Sequence, residues 1–240
     1  MVNTVQRSQF TEDPMGIKER QERDREAVRR SILDAARELF VSEGFQNVSI
    51  RKIAERIEYS PAAIYSYFPS KDDIFFALAE EGFRLLCDGS PAETPRPRTK
   101  LEQVRSRFER LYEFSREQPQ YFALMFLERS VPRINREYER FAFAREMKGQ
   151  IVAELQACVD AGELPSTFDP SVAMRMLTVG LLGISVLRLS ERLGPSEDAD
   201  LLAADVLDVV FAGLKSGVAL RSKGPVDCAQ DDSSIKKQAS

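Results

Sequence analysis

The stretch SIRKIAERIEYSPAAIYSYFPSK, residues 49–71, constrains the fold more than any other part of this chain. Ser49 is placed to cap a helix, and Ser60 followed by Pro61 is a strong signal for the start of another. Between them only a tight turn at Glu58-Tyr59 is left. The stretch therefore predicts two short helices joined by that turn. The first has an inner face of Ile50, Ile53, Ala54 and Ile57.

The second short helix, predicted for residues 61–68, presents small and aromatic side chains outward. Ile64 and Phe68 are four residues apart, so they face the core together. Small residues let a helix approach the major groove closely, alanine can contact a thymine methyl group, and tyrosine hydroxyl groups suit phosphate oxygens. This is the layout of a helix-turn-helix DNA reader. The outward residues are Ala62, Ala63, Tyr65 and Ser66.

The run IAERIEYSPAAIYSYFPSKDDIF, residues 53–75, resembles the N-terminal domain of the TetR/AcrR family of bacterial transcription regulators. The sequence departs from the family pattern at the turn, where Glu58-Tyr59 stands in place of the usual Gly-Val. Glycine there relieves a positive φ, so we expect either slight strain at Glu58 or a slightly altered turn. The matching positions are Ile53-Ala54, Ser60, Ile64-Tyr65, Tyr67-Phe68, Ser70-Lys71 and Ile74.

The resemblance implies an all-α fold, with an N-terminal three-helix helix-turn-helix DNA-binding domain and a C-terminal helical ligand-binding and dimerisation domain. It implies a ligand-responsive regulator, most often a repressor, that binds a palindromic operator as a homodimer through the helix 61–68. Ordinary structural roles stay open for Ala63 and Tyr67 as packing residues, and for Arg51 and Lys71 as solvated charges. The implied DNA contacts are Ser49, Arg51, Pro61, Ala62, Ala63, Tyr65, Ser66, Tyr67 and Lys71.

Residues 1–22 are interpreted as a disordered or basic N-terminal arm, followed by the DNA-binding domain at 23–87. Charges of both signs crowd together from residue 17 to 30. They fit either a solvated helix start with ion pairs four residues apart or a basic arm that touches phosphates or the minor groove. An amphipathic helix that ends at Gly44 follows. Its stripe is Ile32, Leu33, Ala36, Leu39 and Phe40.

The prolines of residues 88–99, DGSPAETPRPRT, predict a surface linker before a helical effector-binding and dimerisation domain at 99–217. Thr99 and Glu102 predict a capping box, and further helices are expected from Pro119 and over about 136–161. Aromatic and methionine side chains at helical spacing are either plain core or the lining of an adaptable pocket for a small apolar effector. The candidate pocket residues are Phe108, Tyr112, Phe122, Met125, Phe126, Phe141, Met147, Met174 and Leu177.

Residues 173–187 are apolar almost all round, so their helix is expected to be buried on more than one side. Arg175 interrupts this region, which is short of the roughly 20 residues that span a bilayer. A second copy of the chain is the simplest cover, giving a four-helix dimer seam; a core within one chain is the alternative. Residues 218–240 are interpreted as a disordered tail. The candidate interface residues are Gly180, Gly183, Leu187, Val206, Val209 and Val210.

The chain contains no histidine, which excludes Ser-His-Asp and Cys-His catalysis and histidine-bound metals. Its three cysteines lie far apart, which fits a reducing cytosol. We therefore expect a cytoplasmic protein that is not an enzyme and needs no metal or cofactor. A net charge of −4 argues against a nucleic-acid binder, although a sum over the chain does not register a local basic patch.

The leading hypothesis is thus a regulator whose partners are a double-stranded DNA operator, a small apolar effector and a second copy of the chain, with no membrane. The alternative is a helical small-molecule-binding protein with lost or weak DNA affinity, which the net acidity and Glu58 motivate.

Overall fold

The computed structural model describes residues 14–88, 99–128, 131, 141–167 and 169–218, and this part of the chain contains helices and no β-strand. It divides into two compact units. The first takes the described residues of 1–81 and 123–133, and the second takes those of 82–122 and 134–240. The all-α prediction is confirmed. The predicted linker at 89–98 and the tail beyond Val218 lie outside the described residues.

The first unit is built on a long helix, α1, at Pro14–Glu43, followed by a 3₁₀ turn at Phe45–Asn47. Residues 14–22, which the sequence interpretation placed in a disordered or basic arm, are helical and belong to α1, so disorder is wrong there; residues 1–13 lie outside the described part. The charges of 17–30 therefore lie on a helix, which leaves both interpretations of them open. Next come α2 at Ile50–Arg56, α3 at Pro61–Tyr65 and α4 at Lys71–Asp88, whose residues from 82 onward group with the second unit.

The core of the first unit is aromatic and β-branched. Phe45 packs its ring between those of Phe40, with centroids 5.0 Å apart, and Phe75, at 5.7 Å. α2 packs against both α1 and α3. Because α2 and α3 are too short to be stable alone, this packing must hold them in place. The side chains that are fully buried here include Ile32, Phe40, Ile53, Ile64, Ile74, Phe75 and Leu78.

The second unit holds α5 at Lys100–Glu117, α6 at Pro119–Phe122, α7 at Ala142–Asp160, α8 at Pro170–Leu189 and α9 at Ala199–Lys215. The predicted Thr99–Glu102 capping box is present. Helix α8 packs against α5, α7 and α9. Fully buried side chains in this unit include Phe114, Phe122, Leu155 and Leu177.

Two predicted helices differ in extent. The helix expected from Pro119 is α-helical only to Phe122 and continues as a π-helical turn at Ala123–Leu127. Of the helix expected over 136–161, the described part begins at Ala142, and residues 132–140 lie outside it.

Helix α8 is longer than the apolar run that predicted it. Among the described helices, α8, with 20 residues, is the one that is long and apolar enough to cross a membrane by length and composition. The core helix of a globular protein meets the same criteria, and α8 has a buried side that includes Leu177, Leu181 and Ile184. Length and composition therefore do not distinguish the two environments.

Candidate nucleic-acid interface

Both short helices begin at the serines that the sequence marks as caps. The Ser49 hydroxyl accepts a hydrogen bond from the Lys52 amide at 3.2 Å, and the Ser60 hydroxyl accepts one from the Ala63 amide at 3.1 Å. Pro61 occupies the first turn of α3, where its missing N–H costs nothing. Local chemistry therefore fixes where α2 and α3 start, as predicted.

Helix α3 separates a buried side from an open one. Ile64 is fully buried and Phe68 nearly so, while Tyr65 is 54% exposed. The helix ends at Tyr65, three residues before the predicted end, and the amides of Tyr67 and Phe68 then bond to the Ile64 carbonyl in a closing turn. Pro61, Ala62 and Ser66 are exposed, and Ala63 is half-buried.

Two residues of this segment that were predicted to contact DNA already interact with other residues of the chain. The Ser66 hydroxyl donates to the Ala63 carbonyl at 2.6 Å. Tyr67 is half-buried, and the guanidinium carbon of Arg25 lies 5.9 Å from its ring centroid. Arg29 lies over the neighbouring Phe68 ring at 5.3 Å. The sequence analysis included both arginines in the charged segment but did not place them against these rings, because nothing local to α1 indicates which side chains it meets.

The cations of α2 are paired with acids at the surface. Arg51, whose side chain is 79% exposed, bonds to Glu55 at 2.9 Å, and Arg56 bonds to Glu38 at 3.2 Å. Lys52 pairs with Glu43 in the same way. Exposed ion pairs of this kind contribute only about 0.2–1 kcal/mol, so a phosphate group can replace the acid as a partner.

Lys71 has a structural role that the sequence did not indicate. Its Nζ donates to the carbonyls of Phe45 at 2.7 Å and Val48 at 2.9 Å, and lies 4.2 Å from the centroid of the Phe45 ring. Desolvation lowers the pKa of Lys71, and the charge of Asp72 opposes that shift. The interpretations of Lys71 as a phosphate contact or as an ordinary solvated charge both omit this role: the ammonium ties the start of α4 to the turn between α1 and α2.

The expected strain at Glu58 is present. Its φ is 60°, and the bonds Tyr59 N–H to Ala54 O at 2.9 Å and Glu58 N–H to Glu55 O at 3.3 Å form a Schellman motif at the end of α2. That motif requires a left-handed residue, which is usually glycine. Here a glutamate occupies the position, so the turn between the two short helices carries a backbone cost.

The predicted pocket residues do not all fall in one unit. Met125 and Phe126 are half-buried and lie in the π-helical turn that groups with the first unit. In the second unit Met147 is half-buried, and six others are buried side chains: Phe108, Tyr112, Phe122, Phe141, Met174 and Leu177. That the nine line one pocket stays a prediction.

A polar cluster lies among these buried residues of the second unit. The Tyr112 hydroxyl donates to Asp200 at 2.7 Å, and burial together with that carboxylate raises the pKa of Tyr112 to about 12. Ser185 donates to the buried Ser115 hydroxyl at 3.1 Å, and Arg188 donates to the Ser115 carbonyl at 2.6 Å. These bonds satisfy polar groups that would be costly to bury alone, so the cluster has an ordinary structural explanation.

The predicted interface residues on α8 and α9 divide into two groups. Gly180 serves packing within the chain, because a Cβ on it would lie 2.5 Å from Cγ1 of Val206. Val206 and Val210 are half-buried. Gly183 and Leu187 are exposed, and Val209 is 72% exposed. Three further exposed apolar residues on these helices were not among the candidate interface residues: Met176, Val179 and Leu201.

Two known protein-domain families match parts of this chain. The family of bacterial regulatory proteins named tetR matches residues 32–78, which contain α2 and α3, and a tetracycline repressor-like C-terminal domain matches residues 104–210. The chain belongs to the TetR family. The residues matched by the first family begin after the charged half of α1, so the family pattern does not account for residues 14–31.

Relatives of this TetR-family chain include both a transcriptional repressor and a transcriptional activator. The HTH-type transcriptional repressor Rv1474c of Mycobacterium tuberculosis is 44% identical over 55 residues, which is 23% of this chain and 29% of that protein. The HTH-type transcriptional activator FasR of Mycolicibacterium smegmatis is 24% identical over 189 residues, covering 78% of this chain and 81% of that one. The stronger local match is confined to less than a third of the repressor's length.

A solved structure gives the same fold over most of the chain. The transcriptional regulator FadR from Bacillus subtilis, in complex with stearoyl-CoA, superposes with a TM-score of 0.61 at 17% identity, covering 76% of this chain and 97% of that one. At that identity the likeness establishes the fold alone.

Proposed function

We propose that this TetR-family chain regulates transcription by binding a palindromic operator as a homodimer, with α3 in the major groove. The observation that carries the proposal is the division of α3: Ile64 is fully buried, while Pro61, Ala62, Tyr65 and Ser66 on the other side are exposed and make no core. A capped helix held by its inner face and open on a face of small residues suits close approach to base edges.

The contacts follow from the chemistry of the exposed side chains. Pro61, Ala62 and Ala63 are small enough to admit the backbone to the groove and offer methyl contacts to thymine. Tyr65 and the hydroxyl of Tyr67 are suited to phosphate oxygens, as is the Ser49 end of α2. Arg51, after release from Glu55, is able to bond to guanine or to phosphate. Two copies of α3 read half-sites about 34–36 Å apart, or a multiple of that spacing.

The test of DNA binding measures affinity for the chain's own upstream DNA by fluorescence anisotropy. Ala62→Glu places a carboxylate against the groove, and we expect it to weaken binding by at least about a hundredfold, because the carboxylate repels phosphates and prevents close approach. Ala153→Glu on the exposed face of α7 makes the same chemical change away from α3 and should leave affinity unchanged. Equal affinity for wild type and Ala62→Glu would refute the assignment of α3.

The dimer part of the proposal rests on the exposed apolar residues of α8 and α9. Met176, Val179 and Leu187 recur along α8, while Leu201 and Val209 recur along α9, and large exposed apolar surfaces mark interaction sites. A two-fold interface uses the same surface on both copies, which fits two helices from each chain. With this surface covered, α8 needs no membrane, and we assign the protein to the cytoplasm.

Sedimentation analysis tests the dimer. The double substitution Val179→Lys and Val209→Lys places two like charges in each half of the interface and should convert dimer to monomer. Val41 on α1 is also an exposed valine, at 39%, and Val41→Lys serves as the control that should stay dimeric. A dimer that survives the double substitution would place the interface elsewhere.

We also propose that a small apolar effector acts through the second unit, in which the predicted aromatic and methionine residues are concentrated. The effector changes DNA affinity only if it binds the DNA-competent and incompetent states unequally. The FadR structure with stearoyl-CoA supplies the probe. We expect stearoyl-CoA to weaken operator binding and to raise the unfolding temperature, whereas coenzyme A alone does neither. No effect of stearoyl-CoA on either measurement would exclude long acyl chains.

The second candidate function is a helical small-molecule-binding protein with weak DNA affinity. The observation in its favour is Glu58, which places an exposed carboxylate and a strained backbone in the turn before α3. Both functions act by binding, without catalysis. Titration at low salt separates them, because a regulator must bind its upstream DNA with a steep salt dependence. A chain that binds the ligand and no duplex would select the second function.

A further inference from the structure

One face of α1 changes character along its length. In the C-terminal half this face is apolar and buried, with Ile32, Leu33, Ala36 and Phe40 in the core. Counting back from Ala36 in steps of seven, four and seven residues, the same face carries Arg29, Arg25 and Lys18. A straight helix drifts only about 20° per heptad, so these positions share one side. Glu22 is the acidic residue on this side, and the balance of the stripe is positive.

The basic half of this face is fixed beside the reading helix. Arg25 lies over the ring of Tyr67 and Arg29 over that of Phe68, the two aromatic residues directly after α3. Arg29 also pairs with Glu26 at 3.5 Å. Among the residues that the structure describes, Arg25 has no acidic partner within 4.0 Å. Its charge is therefore held in place and left available to an external anion.

The stripe has the dimensions of a DNA backbone contact. From Arg29 to Lys18 the helix rises about 16 Å at 1.5 Å per residue, and phosphates of one B-DNA strand repeat about every 3.4 Å along the axis. Lys18 and Arg25 are exposed and Arg29 is half-buried. The stripe therefore presents three cations beside Tyr67, itself a proposed phosphate contact, over a length that several successive phosphates occupy.

We propose that Lys18, Arg25 and Arg29 form a basic stripe that binds the phosphate backbone flanking the base pairs read by α3. This proposal rests on the proposed function, because it assumes that α3 enters DNA. The partner is double-stranded DNA, since the rings that hold two of the cations belong to the segment that closes the reading helix. The stripe adds affinity without sequence information, because phosphates are the same at every base pair.

The salt dependence of operator binding tests the stripe in the full-length chain. Removing the cation that binds one phosphate lowers the slope of log Kd against log salt by about 0.9. The homodimer carries two copies of the stripe, so the triple variant Lys18→Gln, Arg25→Gln, Arg29→Gln removes six cations from each complex. We expect it to reduce the slope by about 5 units, by the same rule, and to weaken binding equally for operators with altered half-sites. The wild type on a duplex trimmed of its flanks should show the same reduced slope.

Arg23 supplies the matched control. It is exposed, bonds to the Glu19 carbonyl at 3.3 Å and lies on the opposite side of α1, so Arg23→Gln removes a charge without touching the stripe. A reduction of slope in Arg23→Gln as large as in Arg25→Gln would overturn the proposal in favour of net charge alone. An unchanged slope in the triple variant would overturn it too. If Arg29→Gln unfolds the chain, the exposed pair Lys18→Gln, Arg25→Gln carries the test, with a reduction of about 3–4 units expected for the dimer.

Different experimental results would overturn the basic-stripe proposal and the proposed function. A wild-type chain that binds no duplex at low salt overturns both. Wild-type binding that is abolished by Ala62→Glu, together with an unchanged slope in the stripe variants, leaves the proposed function standing and overturns the stripe. Binding of the wild type to anionic vesicles in place of duplex DNA would also overturn it.

Discussion

The glutamate in the turn between the two short helices allows a direct test of whether a positive φ destabilises this chain. Glu58 takes the left-handed position of a Schellman motif, with φ at 60°. Helices α7 and α9 end in the same pair of bonds, and there the corresponding residues are glycines, Gly162 with φ 74° and Gly217 with φ 78°. The same left-handed position is thus occupied by glycine in two Schellman motifs of this chain and by glutamate in the turn after α2. The substitution Glu58→Gly gives the turn after α2 the same residue as the other two.

The expected gain is the difference between two opposing effects. An L residue in the left-handed region costs roughly 1–2 kcal/mol, whereas glycine costs roughly 0.5–1 kcal/mol in unfolded-state entropy. We therefore expect Glu58→Gly to raise the free energy of unfolding by about 0.5–1 kcal/mol. With a urea m-value of about 1–3 kcal/mol/M, the unfolding midpoint rises by roughly 0.2–1 M and the m-value stays the same.

Two further variants separate conformation from charge. Glu58→Ala removes the carboxylate and keeps a Cβ at positive φ, so it should be less stable than Glu58→Gly. Glu191, with φ 53° at the end of α8, occupies the same position of a second Schellman motif, and Glu191→Gly should give a similar gain. Equal midpoints for Glu58→Ala and Glu58→Gly in urea titrations would refute the strain argument. Operator affinity should rise equally in both, because both remove the same negative charge.

Three other substitutions each test one interaction. Lys71→Met removes two hydrogen bonds from a charged donor, so it should lower the free energy of unfolding by about 1–3 kcal/mol. A decrease of about two units in the salt slope of DNA binding by the dimer would instead support a phosphate contact at Lys71. Gly180→Ala should cost about 1–3 kcal/mol in urea unfolding through its clash with Val206, and the added change Val206→Ala should recover most of it. Glu163 accepts hydrogen bonds from the first amides of α5, and these lower its pKa below the ordinary 4.5. A lowered pKa stabilises the fold above the ordinary value, and that effect disappears as pH falls through the folded value. The unfolding midpoint of wild type should therefore exceed that of Glu163→Gln at neutral pH and converge with it in acid; a constant gap would disprove the assignment.

What could be predicted from the sequence was local. The serine caps of α2 and α3 and the Thr99 box were predictable because each hydroxyl bonds to an amide three residues away. Strain was one of two expectations at Glu58, because the family pattern has glycine at this position of the turn. The buried face of α3 followed from apolar residues at helical spacing.

What could not be predicted depends on partners distant in the chain. Lys71 bonds to carbonyls 23 and 26 positions earlier, so the spacing around it indicates only an exposed helix start. Gly180 was taken as a site of approach by a second chain, but it accommodates Val206 of its own chain. The division of the predicted pocket residues between two units likewise has no local signal, because an apolar helical residue looks the same whichever core it enters.

The sequence by itself therefore determined where α2, α3 and α5 begin, their caps, and the apolar side of α3, since these depend on interactions within about one turn of helix. Only the tertiary structure decided that Arg25 and Arg29 meet the rings after α3, that Lys71 holds a turn together, and which residues of α8 and α9 remain exposed. Those outcomes depend on packing between elements, where the same side chain contributes differently according to what the fold places against it.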